Sequence, residues 1–359
     1  MNKESKEFLY EYLNAYSPVG QEQEGQKIWM KYVEKYTDFN KTDAYGTGYA
    51  VKNAVGVKNP LKVVIEAHCD EIAWIITHIE DSGMIRVKRH GGSDNMIAPS
   101  KSVMIHTHDG KRVRGVFGWP AIHTRKEYTS KGYEQHELWV DTCLEDKKAV
   151  ELAGVEIGNL ITFDTQLEEI GDYYVGRSLD NKIGGFIIAE AVKRLHQQEY
   201  HLPFDLYVVN SVQEEVGLHG AKKIAKLLKA DLALVHDVCH NTNTPKYDKA
   251  KDGDIKGGKG PCIEYTSQNH RYINGILREV AHWSNIPIQL TVGSMGNDTV
   301  AFFMENTPTA ILATPLKYMH TTVESAHKKD VEWAIDMFVD FLKELTPETI
   351  NNINGRDRI

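Results

Sequence analysis

Several short apolar runs in this chain each end in a side chain of the kind that binds metal ions. The runs VVIEA, LYVVNSVQ and LALVH are rich in Val, Leu and Ile, as is typical of buried strands. In open α/β sheets, ligands and catalytic groups gather at the carboxyl ends of the strands. We therefore expect one edge of a sheet to collect the polar residues that follow these runs and the runs YYVGRSL and TAILATPLKYM: His68, Asp180, Glu214, Glu215, Asp237 and His320.

Strand-like and helix-like segments alternate over most of the chain, which indicates a sheet covered by helices on both faces. Between residues 71 and 165 the pattern changes to short alternating segments, separated by Asp-Ser-Gly, Asp-Gly and Gly-Gly turns. This region predicts a small β-barrel inserted into a larger domain. The predicted fold class is α/β, with a mixed, largely parallel sheet formed by residues 1–70 and 166–359 and the barrel at 71–165.

The composition argues against several classes of partner. The 359 residues are 41% hydrophobic and 26% charged, which is ordinary for a globular protein. The formal charge of −8 argues against nucleic acid or an anionic membrane, because those contacts need a clustered basic face. No apolar stretch approaches the roughly 18 residues of a membrane helix, and the charged N-terminus lacks the apolar segment of a signal peptide. We therefore expect a cytoplasmic protein.

The cysteines do not suggest a disulfide framework. Four are present, far apart and without a Cys-x-x-Cys pair: Cys69, Cys143, Cys239 and Cys262. A zinc ribbon is therefore not expected either. Cys69 lies between His68 and Asp70, and alternation along a strand would point its side chain away from theirs. We expect Cys69 to be a packed apolar group rather than a nucleophile.

Three of the candidate residues could also have purely structural roles. Asp180 precedes a predicted helix, where an aspartate commonly caps the N-terminus. Asp237 has His236 and His240 as close neighbours, and either histidine could lie in the core or on the surface without a metal. His320 could equally be a histidine packed in a loop. Only the combination of these residues indicates a metal centre.

The adjacent acids Glu214 and Glu215 are the hardest candidates to explain without a cation. Two carboxylates beside a buried strand repel each other and lose hydration unless positive charge balances them. One can bind a metal ion while the other accepts a proton from water. His68 and Asp70 form a His-x-Asp pair, in which the aspartate can orient a metal-binding imidazole.

The longest polar segment, residues 241–261, is rich in glycine. Its Gly-Gly-Lys-Gly sequence lacks the spacing of a phosphate-binding loop. We expect this segment to form a flexible loop beside the site.

Six motifs, taken together and in order, resemble the M42 family of metallo-aminopeptidases: AHCDEI, RSLDNKIG, VQEEVGLHGA, HDV, GKGP and PLKYMH. The resemblance covers nearly the whole chain. It implies a fold of the co-catalytic zinc exopeptidase type and the removal of N-terminal residues from short peptides. It also implies two divalent metal ions per subunit, for which Zn²⁺ or Co²⁺ and also Mn²⁺ suit mixed imidazole and carboxylate ligands.

The resemblance assigns metal-binding roles to five residues. Asp180 would bridge the two ions. One ion would be completed by His68 and Asp237, and the other by Glu215 and His320.

Further roles and an assembly follow from the same resemblance. Glu214 would be the general base, and Asp70 would be the partner of His68. Members of the family use the inserted β domain to form dimers, which assemble into a hollow tetrahedral dodecamer. Such a shell admits peptides and excludes folded proteins.

The chain departs from the family pattern at a few positions. Lys182 and Lys317 stand where arginine is common, and Arg and Lys are not equivalent at bidentate sites. Gly296–Thr299 replaces the usual Gly-Thr-Asp-Ala. These departures leave the preferred N-terminal residue open. Two alternative functions also stay open, a di-metal deacylase of N-acyl amino acids and a non-catalytic metal-bound scaffold, whereas a glycosidase is disfavoured because it needs two free carboxyl groups.

Overall fold

The computed structural model describes residues 1–124, 134–293 and 296–355. It divides into two compact units. The first comprises Met1–Asp70, Leu167–Met319 and Val323–Ile359, and the second comprises Glu71–Gln166 and His320–Thr322. Residues 125–133, which belong to the predicted barrel region, lie outside the described residues.

An eleven-stranded mixed sheet forms the centre of the first unit. With strands numbered in chain order across both units, its members are β1 Phe39–Thr42, β2 Gly48–Lys52, β3 Lys62–His68, β10 Glu168–Ile170, β11 Tyr173–Gly176, β12 Asp205–Ser211, β13 Leu232–His240, β14 Cys262–Tyr265, β15 Gln289–Val292, β16 Thr309–Lys317 and β17 Glu324–His327.

Parallel pairing is concentrated in the middle of this sheet. The neighbours β12, β3, β13 and β16 run parallel, and they are buried apolar strands of the kind that parallel sheets require. Antiparallel strands flank them, β2 and β1 on one side and β17, β11 and β10 on the other. β14 pairs antiparallel with β16 and parallel with β15. The predicted mixed sheet is confirmed, and its parallel part is the part that carries the candidate site.

Helices cover both faces of the sheet, as predicted. The described helices of this unit are α1 Lys3–Asn14, α2 Gln23–Val33, α4 Leu179–Gln197, α5 His219–Leu228, α6 Lys249–Asp252, α7 Arg271–Trp283, α8 Thr299–Met304, α9 Lys328–Glu344 and α10 Pro347–Ile353. α4 contacts α1, α2 and α9 as well as the sheet, and it is buried along almost its whole length. On the opposite face α5 and α8 pack on each other and on the sheet. Among the described helices, none combines the length and the apolar character needed to cross a membrane.

The second unit is a closed six-stranded barrel, as expected from the alternating pattern. Its elements are β4 Ala73–Ile79, β5 Ile85–His90, β6 Ser102–His106, β7 Arg112–Phe117, β8 Trp139–Asp141, β9 Leu160–Phe163 and the short helix α3 Lys147–Leu152. The strands close in the order β4-β5-β8-β7-β6-β9. The ring of Trp74 fills the interior, with its centroid 4.9 Å from that of Phe117 and 4.7 Å from that of Phe163.

The structure differs from the sequence-based expectations in two places near the site. β13 extends to His240, so Asp237 lies within a strand and does not follow its end. The segment 241–261, expected to be a flexible loop, contains α6, and Asp330 of α9 anchors its last turn. The carboxylate of Asp330 accepts hydrogen bonds from the backbone N–H groups of Gly258 at 2.7 Å and Gly260 at 2.8 Å.

Glu264 in β14 provides a test of how the packed core depends on pH. It is 4% exposed, and burial raises its pKa from 4.5 to about 7. The folded protein therefore holds the proton of the Glu264 carboxyl group more tightly than the unfolded chain does. The free energy of unfolding falls as the pH rises from 4.5 to about 7. Glu264→Gln is neutral at every pH and escapes this loss. We compare the unfolding temperatures of Glu264→Gln and wild type at the same pH. The difference, variant minus wild type, should be larger at about pH 8 than at about pH 5.

Thermal unfolding followed by circular dichroism at the two pH values measures this difference. Glu279→Gln, which changes an exposed glutamate of α7, controls for the change in net charge. If the difference in unfolding temperature between Glu264→Gln and wild type is the same at both pH values, the expectation is wrong.

Candidate metal centre

The register of the parallel strands brings the candidate residues to one edge. His68, the last residue of β3, pairs with Ser211, the last residue of β12. On the other side of β3, Val235 of β13 pairs with Glu66. Asp237 is two residues beyond Val235, so it lies level with His68. His68, Ser211 and Asp237, on three neighbouring strands, thus lie level with one another toward the carboxyl edge of the parallel strands.

One group of donors is close enough to hold a single metal ion. Ligand atoms of His68, Asp180 and Asp237 all lie within 4.8 Å of one another. Nε2 of His68 is 3.3 Å from Oδ1 of Asp180 and 3.9 Å from Oδ1 of Asp237. The side chains of His68 and Asp180 are only 2% and 7% exposed. Imidazole and carboxylate donors in this arrangement suit a divalent ion such as Zn²⁺.

Asp180 stands at the start of α4. Its backbone angles are not helical, and its peptide bond to Asn181 is cis. The N–H of Asp180 donates to Oε2 of Glu324 at 3.1 Å. Its carboxylate oxygen Oδ1 lies 3.3 Å from Nε2 of His68.

Asp70 connects the first strand to the pair of adjacent glutamates. Its Oδ1 accepts a hydrogen bond from the N–H of Glu214, and its Oδ2 accepts one from the N–H of Glu215, both at 3.0 Å. Oδ1 also lies 3.5 Å from Nδ1 of His68, beyond an ordinary hydrogen bond but close enough for a charge interaction. Asp70 is fully buried, so one carboxylate holds the Glu214–Glu215 turn beside the imidazole.

Glu214 and Glu215 occupy different positions, as the two proposed roles require. Ligand atoms of Glu215 and Asp180 lie within 4.8 Å of each other. Oε2 of Glu214 lies 3.9 Å from Nε2 of His68. The chain turns at these two residues. Gln213, just before them, has a positive φ of 58°. The carbonyl of Glu214 accepts hydrogen bonds from the N–H groups of both Gly217 and Leu218 at 2.9 Å.

The buried charges of the site need a cation. Burial raises the pKa of Glu214 to about 10, although His68 acts in the opposite direction. Burial and Asp180 raise the pKa of Asp237 well above its usual value. Burial by itself lowers the pKa of His68, but Asp180 and Asp70 outweigh it and raise that pKa. Burial disfavours the ionised carboxylates of Glu214 and Asp237, and a divalent ion beside them would favour the ionised form. The donors present therefore fit divalent ions.

The structure distinguishes the histidines near Asp237. His236 is fully buried, and its ring contacts Asn181 and Thr314 instead of the donor group. Burial lowers the pKa of His236 to about 3, so the ring is neutral. His240 is exposed at the end of β13, where its ring lies 6.2 Å from that of Tyr247. Neither histidine belongs to the His68 donor group.

His320 belongs to the short segment that groups with the second unit. There its Nδ1 lies 3.2 Å from the carbonyl oxygen of Gly92. A Cβ on residue 92 would come within 2.4 Å of the His320 ring, so glycine is required at that position. His320 follows β16, the strand that pairs with β13 and Asp237.

Three acids near the site were not identified from the sequence. Glu324 accepts the N–H of Asp180. Asp298 is 2% exposed and accepts a hydrogen bond from the Oγ of Ser211 at 2.9 Å. Glu66 is fully buried on β3. Its position two residues before His68 was the one available signal, because residues i and i+2 of a strand share a face.

Cys69 is buried as predicted. It is 0% exposed, and its Sγ lies 3.8 Å from the Oγ of Ser17. Burial raises its pKa to about 12. A thiol with so high a pKa stays protonated at neutral pH, so it is neither a nucleophile nor a metal ligand there.

Fold and site together define a metal-dependent hydrolase. Imidazole and carboxylate donors lie at the carboxyl edge of a mixed α/β sheet, and a further carboxylate stands beside them. Residues 46–337 match the model of one family, described as M42 glutamyl aminopeptidase. The match covers most of the chain, so the protein belongs to the M42 family of metal-dependent peptidases. It is an aminopeptidase, a hydrolase that acts as an exopeptidase.

Individual relatives agree with this assignment. The lysyl aminopeptidase of Pyrococcus furiosus is 29% identical over 80% of this chain and 82% of its own length. The solved TET aminopeptidase of a marine sediment Thaumarchaeota archaeon superposes with a TM-score of 0.91 at 27% identity, covering 98% of this chain and 99% of that one. The TET1 peptidase of Pyrococcus horikoshii, which can assemble into a tetrahedron or a large octahedral shell, superposes with a TM-score of 0.82 at 27% identity, covering 95% and 100%.

Divalent ions should stabilise the metal-free protein, because they balance the buried carboxylates. An ion present at about 100 times its dissociation constant raises the free energy of unfolding by about 2.7 kcal/mol. Thermal unfolding of chelator-treated protein, with and without added Zn²⁺, Co²⁺ or Mn²⁺, measures the effect. His68→Ala should lose most of the shift, whereas His240→Ala, which alters an exposed histidine of β13, should keep it. Equal shifts in both variants would argue against the donor group.

Proposed function

We propose that this aminopeptidase removes N-terminal residues from short peptides with two divalent ions and with Glu214 as the general base. The position of Glu214 carries the proposal. Its carboxylate lies 3.9 Å from the His68 imidazole, yet it belongs to neither donor group found among the described residues. A carboxylate beside the metal donors but outside them is available to exchange protons.

Asp180 is the donor that we assign to both ions. The first ion would bind Asp180 with His68 and Asp237, and the close approach of these three groups supports that set. The second would bind Asp180 with Glu215 and His320. Support for it comes from the proximity of Asp180 and Glu215 and from the position of His320 shortly after β16, beside the strand of Asp237. Zn²⁺ or Co²⁺ suits these donors best, and Mn²⁺ also fits.

Two divalent ions held by these donors would supply Lewis-acid activation of the scissile carbonyl and of a water molecule. Glu214 takes a proton from that water as it attacks, and it returns the proton to the amine that leaves. Burial favours the protonated form of Glu214 and nearby positive charge favours the ionised form. These opposed effects suit a group that must gain and lose a proton in each turnover.

The carboxylates of the site also account for the choice of an N-terminal residue. The free α-amine of a peptide is the group that buried acids attract, and an N-acylated substrate lacks that positive charge. We therefore assign the reaction to unblocked peptides. Of the departures from the family pattern, Lys182 is fully buried and donates to the carbonyl of Ala15, and Lys317 lies 4.7 Å from the centroid of the Tyr173 ring.

We further propose that the six-stranded barrel mediates dimerisation and that dimers form a tetrahedral dodecamer. The assembly of the Pyrococcus horikoshii TET1 peptidase into a tetrahedron or an octahedral shell supports this. A hollow shell would limit substrates to peptides short enough to enter. Sedimentation or native mass spectrometry of the purified chain measures the number of subunits.

Glu214→Gln should reduce the turnover number for aminoacyl-nitroanilides by about 100-fold or more, because general-base catalysis contributes roughly 10²–10⁴-fold. The amide replaces the carboxylate with a group of the same shape that accepts no proton. Metal content, measured by plasma emission spectroscopy, should stay at the wild-type level, since Glu214 is not assigned as a ligand. A variant that keeps nearly full turnover would remove Glu214 from the general-base role.

A substrate panel separates the proposed reaction from its alternatives. The protein is reconstituted with each metal and tested on aminoacyl-nitroanilides, on their N-acetylated analogues and on a β-glucan. Cleavage of the unblocked substrates supports the proposal. Cleavage of the blocked substrates alone would identify a deacylase, and the absence of all activity in fully metallated protein would favour a scaffold.

A further inference from the structure

Asn181 and His236 exchange two hydrogen bonds between α4 and β13. Nδ2 of Asn181 donates to the backbone carbonyl of His236 at 2.8 Å, and Nδ1 of His236 lies 3.0 Å from Oδ1 of Asn181. Both side chains are 0% exposed. Asn181 follows the metal ligand Asp180 in sequence, and His236 precedes the ligand Asp237. The pair therefore joins the two chain segments that carry two ligands of one ion.

The direction of each hydrogen bond is fixed by this arrangement. The carbonyl oxygen of His236 can only accept, so the nitrogen of the Asn181 amide must face it and the amide oxygen must face the ring. Nδ1 of His236 therefore carries the proton. Nε2 is left as an acceptor, and it lies 2.9 Å from Oγ1 of the fully buried Thr314, whose hydroxyl donates to it. The histidine has one tautomer and one orientation.

Gly184 leaves space for this pair of hydrogen bonds. It lies one turn further along α4, and a Cβ at this position would come within 2.3 Å of both Oδ1 of Asn181 and Nδ1 of His236. Any other residue would push the two groups apart. The adjacent Gly185 faces a different environment, where a Cβ would meet the hydroxyl of Tyr12 at 2.6 Å and Oδ1 of Asn210 at 2.9 Å.

We infer that Asn181 and His236 form a positioning clamp, which sets the separation of the Asp180 and Asp237 carboxylates and thereby the affinity for the ion they share. The inference rests on the proposed two-ion function. Neither clamp residue is assigned as a ligand, so both act through the segments they hold. The N–H of Asp180 is held independently by Glu324, which leaves the clamp to fix the chain immediately beyond the ligand.

Two glycine variants test the clamp against ordinary packing effects. Gly184→Ala should weaken binding of the ion by about 10–100-fold, the range typical for changes to groups that orient metal ligands. Gly185→Ala also crowds α4, with a closest contact of 2.6 Å against 2.3 Å at Gly184, but it should bind the ion as tightly as wild type. Metal-free protein is prepared by chelation and titrated with Co²⁺ in a calorimeter, and thermal unfolding of the metal-free forms is recorded in parallel.

Thr314→Val provides a second test that does not crowd the helix. It removes the hydroxyl that donates to Nε2 of His236 and nearly preserves the side-chain volume. Because a buried acceptor is left unpaired, some loss of stability is expected in the metal-free protein. We expect it in addition to weaken Co²⁺ binding several-fold. Thr307→Val is its control, because it removes another buried threonine hydroxyl, which donates to the carbonyl of Ala230. It should cost similar stability and leave Co²⁺ binding unchanged.

The possible outcomes separate the clamp from the proposed function. Wild-type affinity in both Gly184→Ala and Thr314→Val would overturn the clamp. Equal loss of affinity in Gly184→Ala and Gly185→Ala would also overturn it, because the effect would then follow packing of α4 in general. If wild-type protein binds no ion, the proposed function itself fails, and the titration of wild type shows this before any variant is compared.

Discussion

The burial of several carboxylates at one edge of the sheet is the constraint on which the site depends. Removing an ionised carboxylate from water costs several kcal/mol or more unless a cation or strong hydrogen bonds offset it. The backbone N–H groups of the Glu214–Glu215 turn meet part of this cost for Asp70. For Asp237 and Glu214, the raised pKa values show that the protein alone does not meet it. The edge of the sheet thus holds a group of buried donors that could hold a divalent ion.

Much of the fold and of the site can be predicted from the sequence where the signal is local. The strand that carries His68 can be predicted from the apolar run VVIEA, and the structure shows it as β3 with His68 as its last residue. An apolar run that ends abruptly marks both the strand and the candidate ligand after it. The same rule fails at Asp237. There β13 continues for three residues through Val238 and Cys239 to His240, so the polar residue interrupts the apolar run without ending the strand.

The remaining features depend on contacts between distant segments. β17 has four residues and no apolar periodicity, and it exists because β11 and β16 pair with it. Glu324 reaches the N–H of Asp180 only through that pairing. The hydrogen bonds between Asn181 and His236 join residues 55 positions apart. No spacing rule within one segment predicts such a pair, since each partner on its own has the sequence context of an ordinary core residue.

His68, Cys69 and Asp70 are consecutive residues with three different environments. β3 ends at His68, so Cys69 and Asp70 lie just beyond the strand. The thiol of Cys69 is buried beside Ser17, and the carboxylate of Asp70 holds the Glu214–Glu215 turn. A thiolate is a soft ligand that favours copper(I) and other thiophilic ions. The donor group around His68 contains imidazole nitrogen and carboxylate oxygen but no sulfur, a composition that favours harder divalent ions over thiophilic ones.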